Sequence, residues 1–255
     1  METLFPLLTP AELAIALLVG VVGGIVKGVV GFAMPLVLIS GLTIFISPEL
    51  ALAGLILPTL FTNGIQALRQ GPVAAWQSTK RFGVFLIFGG VMLVIAAQFV
   101  RVFPEQVMLL VIGIPVTFFA LLQLSGYQFK LDAKNKGIEA CFGMVAGTLG
   151  GLSGIWGPPT VAYLTALDTP KQDQMRIQGV VYGLGALALV GAHMGSGVLR
   201  GDTWGFSAAM ILPATVGMWI GSKIMDNFDQ GTFRRATLCV LLLAGANLIR
   251  RGILG

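Results

Sequence analysis

Long apolar stretches recur along the whole chain, at about 11–46, 50–68, 82–100, 106–124, 138–167, 176–199, 203–222 and 232–249, with short polar connections between them. A helix of about 17–25 apolar residues crosses the roughly 30 Å hydrocarbon core of a bilayer, so the pattern predicts an all-α membrane protein of eight helical elements. Two stretches, 11–46 and 138–167, are longer than one crossing needs, and each carries a glycine-rich run ending in proline near its middle. Each is expected to be two shorter helices joined by irregular backbone.

Composition narrows this picture. Of 255 residues 56% are hydrophobic, 11% are charged and 35 are glycine, so the bilayer is the solvent and no sizeable soluble domain is expected. The basic excess, 16 Lys and Arg against 11 Asp and Glu, falls mostly at segment ends. It reads as membrane topology and not as a nucleic-acid footprint. Cys141 and Cys239 both lie inside apolar stretches, which suits neither a disulfide framework nor a Cys-rich metal site. With no HExxH and no Walker A run, neither a metal, a cofactor nor an enzymatic activity is expected. Arg69, Lys80, Arg81 and then Lys130, Lys134, Lys136 mark two cytoplasmic connections. Folding the fifth element back to its own side gathers more of the remaining basic residues inside, so that arrangement is preferred.

An internal repeat follows from the two overlong stretches. Gly24, Gly28, Gly31 and Pro35 recur as Gly147, Gly151, Gly154 and Pro158 at one constant offset, Ser47-Pro48 recurs as Thr169-Pro170, and Trp76 and Trp204 each precede the next apolar stretch. The chain therefore reads as two four-element repeats, residues 1–125 and 126–255, of one integrated transmembrane domain. The first element of each is broken at a GxxxGxxGxxxP motif. With the preferred topology the halves are inverted, the plan of many secondary transporters. Glycines spaced in this way also let helices pack closely, and for any single glycine that is the simpler account. A break in a membrane helix frees backbone N–H and C=O groups that hydrocarbon cannot satisfy, so it must be buried in protein or line a polar cavity. Half-helix N-termini there would favour an anion.

At these residues the chain resembles the TauE/SafE family of bacterial transporters, the sulfite exporter and toluene-sulfonate uptake permease group. The motifs are GGIVKGVVGFAMP at 23–35, GTLGGLSGIWGPP at 147–159 and Arg69-Gln70-Gly71 closing the second element. The resemblance covers essentially the whole chain. It implies a carrier of sulfite, sulfoacetate or other sulfonates, or of another organic anion. Trp156 in the second motif and Phe32-Ala33-Met34 in the first depart from the usual pattern and would reshape a pocket.

Lys27 is the one charged residue deep in the first element. An ammonium there costs about 2.5–3.5 kcal/mol on insertion scales, and no carboxylate is near it in sequence. A bound anion or backbone carbonyls would compensate it, with snorkelling to an interface as the plainer alternative. Thr59, Thr62, Asn63 and Gln66 form a polar stripe on one face of the second element, suited either to lining a path or to bonding neighbouring helices. Arg176, with Gln178 two residues on, opens the matching element of the second repeat. Ser153 and Trp156 would supply a hydroxyl and an aromatic wall. The expected substrate site is therefore Lys27, Gly28, Gly31, Phe32, Asn63, Gln66, Gly151, Ser153, Gly154, Trp156 and Arg176. His193, the single histidine, is a candidate for proton coupling against a plainer packed or interfacial role.

The strongest rival is an intramembrane serine protease of rhomboid type, since Gly151-Leu152-Ser153-Gly154 spells GxSG and His193 follows on another helix. Those glycines already belong to the repeated motif, whose first copy has Val30 at the serine position, so the match needs no catalytic explanation. A cation channel or cation transporter would need a mid-membrane carboxylate to coordinate its ion, and the sequence places none there. The expectation is a secondary carrier of small anions in a bacterial inner membrane, working by alternating access, with a proton or another ion as coupling partner.

Overall fold

The computed structural model describes residues 7–97, 104–127, 130–132, 135–153, 156–196 and 198–254. Its described residues form twelve helices and no strand: α1 Pro10–Val30, α2 Met34–Leu42, α3 Pro48–Leu68, α4 Pro72–Arg81, α5 Gly83–Ala97, α6 Glu105–Leu124, α7 Lys136–Ser153, α8 Gly157–Ala166, α9 Lys171–Ser196, α10 Gly201–Ala209, α11 Ile211–Asp226 and α12 Gln230–Leu254. Among the described residues, four spans are long and apolar enough to cross a membrane: Pro10–Val30, Glu49–Leu68, Gly201–Asp226 and Gln230–Leu254. The pair Pro72–Arg81 and Gly83–Ala96, bent by 73°, would make a fifth.

Eight apolar stretches thus become twelve helices, for local reasons. The first stretch divides at Gly31, Phe32 and Ala33, and the fifth divides between Ser153 and Gly157. The stretch 203–222 divides at Met210, three residues before Pro213. Pro213 has no N–H for the carbonyl of Ala209, so the ladder is interrupted there. Residues 72–81, read from the sequence as a connection, are helix α4. Pro72 suits a first helical position and Ala-Ala follows, whereas the segment is too short and polar to register as an apolar stretch.

The chain forms two compact units, each built from two separate stretches of the sequence. The first comprises Met1–Ala75 and Met175–Asp229. Here α1 opens with a capping box, the Thr9 hydroxyl accepting from Glu12 N at 3.3 Å and Glu12 Oε2 accepting from Thr9 N at 2.8 Å. It packs along its length on α11. That seam is made by glycine: a Cβ on Gly24 would fall on the Ala214 carbonyl oxygen, one on Gly28 on that of Met218, and those on Gly217 and Gly221 on Val21 and Ile25. The apolar core brings Ala16 of α1 and Met34, Leu38 and Leu42 of α2 against Leu55 and Ile56 of α3, with Phe206 and Met210 completing it.

The second unit comprises Trp76–Gln174 and Gln230–Gly255. Its main seams are α5 on α7 and α6 on α12. A Cβ on Gly147 would meet the Gly89 carbonyl, one on Gly143 that of Phe85, and one on Gly113 the Gly245 carbonyl oxygen at 3.0 Å. Tyr163 of α8 is buried and stacked on Phe142 and Phe85, with ring centroids 4.9 and 5.7 Å away.

Candidate functional site

The first unit contains a broken helix whose freed backbone groups are met by side chains from two other helices. Helix α1 ends because Gly31 turns left-handed (φ 87°) and its N–H bonds back to the Lys27 carbonyl at 2.7 Å. Glycine is required there twice over. The backbone favours it, and a side chain would collide with those of Gln178 and Met175. Ala33 is also left-handed (φ 70°), a conformation that costs a non-glycine residue about 1–2 kcal/mol. Helix α2 then starts at Met34 with no side-chain cap.

Helix α3 supplies the polar complement. Its Gln66 Nε2 donates to the Gly31 carbonyl at 3.1 Å and to the Met175 carbonyl at 2.7 Å. From α9, the Gln178 amide nitrogen donates to Gly31 O at 3.0 Å and Val30 O at 3.2 Å. Both glutamines are buried. They satisfy the last carbonyls of α1, which would otherwise be buried without donors. Helix α9 comes close enough because of Gly179, whose missing Cβ leaves room for the Ala67 backbone.

Lys27 lies in the last turn of α1 and is 1% exposed. Its ammonium donates to Asn63 Oδ1, also buried, and among the described residues it has no carboxylate partner. The carbonyl end of α1 favours a cation by about 0.3–1 kcal/mol, more where partly buried, which offsets only part of the burial. Snorkelling does not occur, because the whole side chain is enclosed. Thr62 donates to the Pro58 carbonyl at 2.6 Å, while Thr59 Oγ1 and Gln66 Oε1 are buried with no hydrogen-bond partner.

The structure therefore brings Lys27, Gly31, Asn63 and Gln66 together. Phe32 is buried in the break itself. Gly28 points at the α11 backbone, so the close approach it permits is to Met218 and Gly221. Arg176 is half-buried in the second turn of α9. Gln178, noted in the sequence only as Arg176's neighbour, holds the break together. The signal in the sequence was the break itself, whose freed carbonyls need buried donors.

In the second unit, Trp156 caps the start of α8, its carbonyl accepting from the Thr160 hydroxyl at 2.8 Å. Gly151 lies in the last turn of α7. Gly154 and the side chains of Ser153 and His193 lie outside the described residues. Glu139, at the start of the apolar stretch 138–167, is a buried charge. Its carboxylate accepts from Phe85 N at 3.2 Å and from Lys136 Nζ at 2.6 Å, with Arg81 Nη1 at 3.7 Å. Because Phe85 lies in the first turn of α5, Glu139 caps that helix.

Taken together, these features define an all-helical, multi-pass membrane protein with a buried ammonium at a helix break. The model of the sulfite exporter TauE/SafE family matches residues 16–248. The chain belongs to that family, which carries with it a membrane environment and a small sulfur anion as the transported species. No curated protein and no solved structure matches the chain.

Proposed function

We propose that this protein is a secondary transporter of sulfite or small organic sulfonates, that its two sequence halves are inverted repeats working by alternating access in a bacterial inner membrane, and that Lys27 is the principal charge recognising the anion. The observation that carries the reading is the enclosed Lys27 ammonium, whose one partner among the described residues is the neutral Asn63. A buried charge is ordinarily paired, and a transported anion is a partner that comes and goes. Asn63 suits the same role. Its carbonyl oxygen is held by Lys27, which leaves the amide N–H groups to join the ammonium in donating to an oxyanion. The glutamines keep the break intact when no anion is present.

The test is uptake into proteoliposomes of sulfite, sulfoacetate, taurine, thiosulfate and a carboxylate control, with and without a pH gradient. Uptake of sulfur anions over the carboxylate is the expected result. No uptake of any of the sulfur anions, or equal uptake of the carboxylate, would overturn the substrate class, and stimulation by the pH gradient identifies the proton as coupling ion.

A further inference from the structure

The polar row on α3 holds acceptors as well as donors, and the acceptors say something about the far end of the substrate. Gln66 is 3% exposed, and both its N–H groups are committed, to Gly31 O and Met175 O. That fixes the plane of the amide and leaves Oε1 buried without a donor. One turn on the other side of Asn63, the Thr59 hydroxyl is also buried and unpartnered. A buried acceptor that stays unmade carries its full desolvation penalty. The row therefore reads, along about 10 Å of helix, as an unmade hydroxyl, then a donor pair at Asn63 and Lys27, then an unmade carbonyl.

We propose that the site prefers, among small sulfonates, those carrying a hydroxyl about two carbons from the sulfonate group. This rests on the reading of Lys27 and Asn63 as the contacts of the anionic head. With the head there, Asn63 and Gln66 are three residues apart, about 4.5 Å along the helix axis, which a two-carbon spacer covers. The hydroxyl proton then donates to Gln66 Oε1 or Thr59 Oγ1, making the bond that each lacks. A sulfonate ending in methyl would fill the same space and leave the carbonyl unmade. An ammonium could also donate, but it would stand about one helical turn from Lys27, and like charges that close in a buried site repel. The order of affinity is then hydroxyethanesulfonate first, with aminoethanesulfonate and propanesulfonate behind it.

The experiment measures dissociation constants of these three compounds for the purified, detergent-solubilised full chain by calorimetry or ligand-dependent thermal stabilisation. Hydroxyethanesulfonate should bind about tenfold more tightly than propanesulfonate. In Gln66→Met that ratio should fall towards one, and in Thr59→Val it should fall in the same direction by less. Equal affinity of the wild type for hydroxyethanesulfonate and propanesulfonate, or tighter binding of propanesulfonate, overturns the inference while leaving the anion reading in place. That result would mean a resident water satisfies Gln66. If none of the three binds, the anion reading fails and this inference with it. The wild-type series decides the matter even where Gln66→Met does not fold, because it needs no variant.

Discussion

Each unit buries one charged side chain among its described residues, and the two are treated in opposite ways. Glu139 in the second unit is fully enclosed but meets a backbone N–H, the Lys136 ammonium and the Arg81 guanidinium. Lys27 in the first unit is equally enclosed and meets one neutral amide. A charge satisfied by fixed partners serves the fold: Glu139 ties the start of α5, the end of α4 and the first turn of α7 to one another. A charge left short of partners is available to a molecule that arrives later. The two helix breaks differ in the same sense. The position matching Lys27 in the second motif is Gly150, and a Cβ there would sit 3.1 Å from the Trp156 side chain. Where the first motif holds an ammonium, the second has a glycine with the Trp156 side chain against it.

The largest effect should follow from removing the structural charge. Glu139→Leu leaves the α5 N-terminus uncapped and the buried Phe85 N–H without its charged acceptor, a loss of about 1.5–3 kcal/mol, while Lys136 and Arg81, both partly exposed, turn to solvent. Thermal unfolding of the detergent-solubilised variant should show a large drop, and an unchanged midpoint would remove the distinction between the two charges. Lys27→Gln should do the reverse. Stability stays level or rises, whereas sulfonate affinity falls by about 1.5–3 kcal/mol, roughly ten- to more than a hundredfold. Lys27→Arg should retain part of the affinity, limited by the shape of the guanidinium. Normal affinity in Lys27→Gln would make Lys27 a second structural charge. The smallest effect concerns the second motif. Gly150→Leu should destabilise by about 1–3 kcal/mol through overpacking against Trp156, and Trp156→Ala in the same chain should recover much of the loss. Additive losses in that double-mutant cycle would show that the indole does not occupy the space.

Several of these features could be read from the residues alone, for reasons of period and chemistry. Thr59, Thr62, Asn63 and Gln66 fall on one face whatever the tertiary structure, since helical spacing demands it. Lys27 is conspicuous because an ammonium stands in a long apolar run. The break at Gly31 is local too, arising from a left-handed glycine followed closely by Pro35. Other features depended on partners far away in the chain. The sequence spacing of Gly24 and Gly28 shows that something approaches closely, but not that it is the α11 backbone. The glutamines satisfy carbonyls on a different helix, so their role appears only once α3 and α9 are placed against α1. Helix α4 was missed because its ten residues are too short and polar to form an apolar period.

Sequence by itself determined that the chain is an all-helical membrane protein and where its first long apolar stretch breaks, because apolar length, proline and glycine act through neighbouring residues. Tertiary structure decided which buried charge is paired and which is not. Lys136 stands three residues before Glu139 in the chain, but only the arrival of Arg81 and the Phe85 N–H at Glu139 and, among the described residues, of Asn63 alone at Lys27 separates the two charges. Burial raises the energy of any charge, but whether that energy is relieved within the protein depends on groups up to 58 positions away in the chain for Glu139 and 36 for Lys27.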